Sequence, residues 1–187
     1  MEFSGPLGVV YRLSEWVYKL VFLNIIWLLF NLPIIFLGIN LLITKDFQVM
    51  LTLLTLIAFM LPFLFFPSTF ALFRVTKHIM NKEDVSLLYG MIKSVKEKYM
   101  QQLKIGWICT IFWVVLLIDI IYMIKLREEW AVILFLCIAF FASMYQLFLF
   151  TNAIETTTIK KIFFQTMVKI FRNLLAAILI VLLVAIF

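Results

Sequence analysis

Asp119 is the one ionisable side chain set inside a long apolar run, Ile105–Ile124. An acid in that setting either couples to an ion or proton or is paired with a cation. It lies five residues before the end of the run, close to Lys125 and Arg127. That position predicts a carboxylate paired near a membrane interface. Coupling would call for a second buried charge in another run, and the other runs carry none. Asn24, Asn31, Gln146 and Asn152 are polar positions in apolar surroundings, and their amides are suited to hydrogen bonds between helices. Pro33, Pro62 and Pro67 are expected to kink or end helices, with Ser68 and Thr69 satisfying freed carbonyls. A substrate site built from broken helices needs matching breaks in two repeats, and no such match is present.

Other chemistry is not assembled. His78 is single, and no nucleophile–base set, metal-ligand cluster or phosphate loop can be put together. The expectation is a protein that is not an enzyme, with no catalytic, cofactor-binding or metal-binding residues. The two cysteines, Cys109 and Cys137, sit inside apolar runs without a CxxC pattern. They read as free thiols packed as small hydrophobes.

The elements that hold these residues are set by hydropathy. Uncharged runs cover Leu20–Ile43, Phe47–Phe73, Ile105–Ile124 (broken only by Asp119) and Ala131–Phe150, and a fifth covers Asn173–Phe187. A bilayer crossing takes about 20 apolar residues. With 66% hydrophobic and 14% charged residues, no soluble core of this length could hide the apolar surface. The expected fold is all-α, a polytopic transmembrane helix bundle of about five spans with cytoplasmic amphipathic helices. It forms a single domain over 1–187, with spans near 16–42, 47–74, 104–125, 130–152 and 172–187. The segment before the first run lacks a basic n-region, so that run reads as a retained helix rather than a cleaved signal. The fifth run has 15 residues, about 22 Å of helix against a hydrocarbon core of about 30 Å. Either the chain is shortened there, or the helix begins earlier and Lys169 and Arg172 snorkel to the interface.

Basic residues give an orientation. Alternate assignment of the gaps puts 13 Lys and Arg on one side and 3 on the other. Basic loops stay cytoplasmic, so the chain is expected in the cell membrane, multi-pass, with its N-terminus inside. Trp16, Trp107, Trp130 and Tyr122 fall near span ends, where amphipathic rings favour the headgroup zone. The net charge of +6 then reflects loop bias and not nucleic-acid binding.

Two segments on the basic side are amphipathic. After Asp84, a candidate N-cap, Val85, Leu88, Ile92, Val95, Tyr99 and Leu103 fall on one stripe of a single helix. Ser86, Lys93, Lys96, Glu97 and Lys98 fill the other face. Such a helix lies on anionic lipid of the inner leaflet or docks a protein. For the second case Val85, Leu88, Ile92, Val95 and Tyr99 are the contact candidates. The segment Asn152–Arg172 echoes the first, Met91-Ile-Lys-Ser-Val95 against Met167-Val-Lys-Ile-Phe171.

Three stretches read together carry a resemblance: Gly5-Pro-Leu7, Leu23-Asn-Ile-Ile-Trp-Leu-Leu-Phe-Asn-Leu-Pro33 and Pro67-Ser-Thr-Phe-Ala-Leu-Phe-Arg-Val-Thr-Lys77. With Ile92-Lys-Ser-Val-Lys-Glu-Lys-Tyr99, Gly106-Trp107 and Leu117-Ile-Asp119, the chain resembles the YesL family of small integral-membrane proteins of Gram-positive bacteria. It departs from that pattern in a long apolar insert between Gly38 and Pro67. The resemblance implies proximity to carbohydrate ABC transporter components, and carries over no catalytic residues. The expected function is an accessory membrane subunit of a carbohydrate ABC importer that contacts the permease subunits. A membrane partner of a two-component sensor and a small stand-alone transporter are the alternatives.

Overall fold

The computed structural model describes residues 6–81, 86–152 and 159–186, and the side chains of these except 6–10, 12 and 174–186. All regular structure among the described residues is helical. The helices are α1 (Pro6–Ile43), α2 (Phe47–Met60), α3 (Phe66–Met80), α4 (Leu87–Lys96), α5 (Tyr99–Leu126), α6 (Glu129–Asn152) and α7 (Ile159–Ile186). A π-helical turn, Leu61–Phe65, joins α2 to α3. Four stretches are long and apolar enough to cross a membrane: Leu13–Ile43, Phe47–Met80, Tyr99–Leu126 and Glu129–Asn152. The protein is an all-α polytopic membrane protein. The fifth expected span falls on α7, which begins at Ile159, well before Asn173.

The chain groups into two compact units, Met1–Gly106 and Trp107–Phe187. In the first, α1 and α2 form a hairpin. Asp46 caps α2, its Oδ1 accepting from the N–H groups of Gln48 (2.8 Å) and Val49 (3.4 Å). This satisfies donors that a helix start leaves without partners. Pro33 lies inside α1 without ending it. Pro62 and Pro67 act differently. Lacking N–H groups, they remove two helical donors close together, and the chain widens to a π turn in which the Phe66 N–H reaches Leu61 O.

Leu23 and Ile26 of α1 pack with Ala71, Val75 and Ile79 of α3 and Met91 of α4. The α3 residues recur every four positions, one stripe of a helix. On α4 the inward residues are Gly90, Met91 and Ser94, with Leu87 and Val95 packed beside them. The expected continuous helix from Val85 to Leu103 is therefore interrupted. α4 stops at Lys96, Glu97 is extended (ψ 130°), and Lys98 has φ 55°. That left-handed residue redirects the backbone, and its carbonyl accepts from Gln101 and Gln102 N–H to start α5. Tyr99 thus belongs to a different helix from Leu88 and Ile92. Asp84 and Val85 lie outside the described residues.

In the second unit, α5 ends in a Schellman motif. Glu128 N–H donates to Met123 O and Arg127 N–H to Ile124 O, with Arg127 at φ 59°. The sharp reversal leads directly into α6. α7 does not pack on α6 in hairpin register. Tyr145 reaches Phe163, and Asn152, two turns further along α6, reaches Thr166 and Lys169. Both contacts advance in the same direction, so α7 crosses the end of α6. The echo of Met91 in Met167 is not an equivalence of environment, for Met91 is buried and Met167 exposed.

Two glycines give opposite expectations. A Cβ on Gly106 would sit 3.1 Å from Pro62 Cα and from Phe66 Cβ, whereas one on Gly38 would meet nothing within 4 Å. Gly106→Val should lower the melting temperature in detergent, by about 1–3 kcal/mol of overpacking. Gly38→Ala should raise it, because glycine inside a helix costs roughly 0.5–1 kcal/mol. Circular-dichroism melts of the two variants check both signs.

Candidate functional site

The polar side chains of the first unit gather where the prolines disturb the helix. Ser68 Oγ donates to Leu64 O (2.6 Å), and Thr69 Oγ1 donates to Phe65 O (2.6 Å). Both acceptors lie in the π turn; the carbonyl one turn before Pro67 is that of Phe63, so the hydroxyls brace the turn and do not stand in for the missing N–H of Pro67. From α1, Asn31 Nδ2 donates to Ser68 Oγ (2.9 Å) and Trp27 Nε1 to Thr69 Oγ1 (3.0 Å). Trp27 also sets its ring edge-on to Phe65, with centroids 5.9 Å apart. The result is a seam in which α1 holds α3 through two side-chain hydrogen bonds. Asn31 and Ser68 are almost wholly buried. Asn31 Oδ1 is buried and accepts no hydrogen bond from protein.

About one and a half turns along α3 from Thr69 lies a second polar node. Arg74 is buried and donates to Ser94 O (3.3 Å) and to Glu97 Oε2 (3.4 Å). Gln102 Nε2 donates to Glu97 O (3.3 Å). The guanidinium thereby ties the end of α4 and the extended residue after it to α3. Beside it, burial lowers the pKa of Lys98, the nearby Arg74 charge lowers it further, and Glu97 opposes the shift. None of these groups is arranged as a nucleophile with a base. Among the described residues no group of His, Cys, Asp or Glu could hold a metal ion.

The expected polar residues separate. Asn31 bonds between helices, and so does Gln146, whose Oε1 accepts from Trp113 Nε1 at 2.6 Å. Asn152 joins α6 to α7 through Thr166 and Lys169. Asn24 does not bond between helices. It is exposed and donates to Leu20 O of its own helix (2.8 Å). Asp119 is half-buried on α5 and forms no ion pair with Lys125 or Arg127. The helix continues to Leu126, which places Lys125, six residues on, about 120° around the axis. Arg127 lies beyond the turn.

The five contact candidates separate too. Leu88 (53%) and Ile92 (38%) are exposed, Val95 packs against the core, Tyr99 starts α5, and Val85 lies outside the described residues. Tyr89 (66% exposed) joins the outward face. Sequence reasoning missed Arg74 and Trp27. A lone arginine at the end of an apolar run was available as a signal for the first. Nothing in the periodicity marked the second.

The residues of the seam and of the Arg74 node fall within 20–120, the stretch matched by the family model described as "Protein of unknown function, DUF624". That match covers more than half of the chain. The chain belongs to the DUF624 family. No curated protein and no solved structure matches it significantly. In this DUF624 protein the matched region spans most of α1, all of α2 to α4 and most of α5.

Asn31→Ala should destabilise the first unit by roughly 0.5–2 kcal/mol, the scale of side-chain hydrogen bonds between membrane helices. Asn24→Ala should leave stability within about 0.5 kcal/mol, since an exposed site away from such features changes little. Urea or thermal unfolding of the two variants in the same detergent gives the comparison. Equal effects would contradict the assignment of the seam.

Proposed function

We propose that this chain is an accessory membrane subunit of the YesL type that contacts the permease subunits of a carbohydrate ABC importer. It carries out no catalysis of its own and needs no cofactor. The observation that carries the docking part is the outward face of α4. Leu88, Tyr89 and Ile92 are exposed, with the cations Lys93 and Lys96 also exposed on the same short helix. The inward face of α4 is already used by Met91 and Ser94. The outward face therefore has apolar surface available to a permease loop or helix. Low self-burial of the spans supports the reading as well. In the four described spans no more than 17% of the most apolar window is fully buried within the chain, which leaves apolar surface open to a partner. The carbohydrate assignment itself rests on the YesL resemblance.

A stand-alone carrier has less support. It would need polar groups held open to a substrate, and Trp27, Ser68 and Thr69 already bond to one another or to backbone. The orientation proposed is N-terminus inside, from the basic asymmetry, which sets α4 on the cytoplasmic face beside anionic lipid. No nucleic-acid partner is proposed.

Co-expression with neighbouring permease genes, followed by purification in mild detergent, tests the assignment. The wild-type chain should co-elute with the permeases, and Leu88→Glu with Ile92→Glu should abolish co-elution by placing ions in an apolar contact. Detergent removes the leaflet, so loss of lipid adsorption cannot account for that result. Elution of the wild type alone, with sugar uptake unchanged on deletion, would refute the proposal. A cysteine at Lys96 should be labelled by an impermeant maleimide only after the membrane is opened.

A further inference from the structure

The three helices of the second unit enclose a cleft of about 470 Å3 on one side of the Trp113–Gln146 pair. Its walls come from the start of α5, the second half of α6 and the first half of α7, including Trp113, Ala142, Tyr145, Gln146, Phe163 and Met167. We propose that this cleft is a lipid site. It takes one acyl chain of an anionic phospholipid, with an ester carbonyl on the Gln146 amide and the phosphate over Lys160 and Lys161.

The volume lies within the range of small-molecule pockets, about 300–1,000 Å3. The lining decides the ligand class. Most of the wall is aliphatic or aromatic, and the polar atoms within it are largely spent. Trp113 Nε1 donates to Gln146 Oε1 at 2.6 Å, and Tyr145 OH donates to Phe163 O at 3.1 Å. A sugar or other polar solute would lose its water there and find few partners, which disfavours its entry. One polar group is left over. Gln146 Nε2 carries two N–H donors and has no acceptor among the described residues. The cleft therefore suits a long apolar body with an acceptor at one end.

Among the described residues of α7 the charge is positive. α7 carries Lys160, Lys161, Lys169 and Arg172 and no acidic residue. Lys169 is engaged by Asn152 Oδ1, while Lys160 and Lys161 are exposed. Lys160 precedes Phe163 by three residues and Met167 by seven, so it continues the stripe of α7 that lines the cleft. It stands about 5 Å along the helix from Phe163, the residue that Tyr145 reaches. Lys160 and Gln146 thus offer a cation and an amide donor beside the same apolar cleft. An ester-linked chain beside a phosphate carries the matching groups: anion, carbonyl, hydrocarbon. A zwitterionic lipid would fill the cleft but gain less from two lysines near a membrane surface.

Native mass spectrometry of the full chain, delipidated in detergent and titrated with phosphatidylglycerol or phosphatidylcholine, tests the site. The wild type should retain one phosphatidylglycerol per chain, about tenfold more tightly than phosphatidylcholine. Ala142→Phe should fill the cleft and abolish retention of both lipids while the circular-dichroism melt stays cooperative. Lys160→Gln with Lys161→Gln should keep the fold, because both side chains are exposed, and should remove the preference for phosphatidylglycerol. Equal binding of the two lipids by the wild type would overturn the proposal, as would full retention by Ala142→Phe. If Ala142→Phe fails to fold, the double lysine variant decides: an undiminished preference for phosphatidylglycerol overturns the site.

Discussion

A bilayer core offers no water to a carbonyl that has lost its helical donor. The second membrane stretch of this protein meets that constraint at Pro62 and Pro67, which remove two N–H groups within six residues. The chain answers with a π turn, and just beyond it the hydroxyls of Ser68 and Thr69 bond the carbonyls of Leu64 and Phe65. Those hydroxyls then have lone pairs to offer, and Asn31 and Trp27 of α1 take them. The polar groups beside the broken stretch of backbone are in this way also the joint between two helices. Apolar contacts alone would hold that joint weakly, because lipid tails are as apolar as the side chains they would replace.

The segment α4 obeys a different balance. It is short, carries Lys93 and Lys96, and is tied to α3 by a buried guanidinium. Where a segment leaves the hydrocarbon, burying a Met or Leu is worth about 1.5–3 kcal/mol. That gain selects the stripe of Leu87, Met91 and Val95 for the core. The adjoining stripe of Leu88 and Ile92 is left outside. Arg74 fixes the choice by accepting one rotation of α4, the one that turns the Ser94 carbonyl and the Glu97 carboxylate toward it. A half-exposed carboxylate contributes little by charge alone, about 0–1 kcal/mol, so the backbone carbonyl and the packing of Met91 carry most of the orientation.

The two units use polar side chains in the same way, as connectors. Trp113 with Gln146, and Asn152 with Thr166 and Lys169, do in the second unit what the Asn31–Ser68 pair does in the first. The stretch matched by the DUF624 family, 20–120, contains the joints of the first unit. The surfaces left over, the outward face of α4 and the cleft of the second unit, are largely apolar, with exposed Lys93 and Lys96 on α4 and Lys160 and Lys161 on α7.

The membrane stretches were legible from sequence because insertion depends on composition summed over about 20 residues, a quantity that needs no knowledge of neighbours. The same holds for the break at Pro62 and Pro67, since a missing N–H acts within one helical turn. Other features were decided only by tertiary structure. Asn24 and Asn31 look alike in sequence, seven residues apart on one helix, yet only Asn31 meets a partner on another helix, because Ser68 stands opposite it while Asn24 is exposed and bonds Leu20 O of its own helix. α4 carries two apolar stripes one residue apart, and periodicity weights both equally. The choice of Met91 over Ile92 came from α1 and α3, and the break at Lys98 came from the need to bring α4 back onto Arg74. Asp119 and Lys125 are close in sequence and remain apart because the helix between them is regular. Local hydropathy sets which segments enter the membrane; the rotation of each helix, and therefore every pairing across a helix interface, is fixed by the shape of the surface it meets.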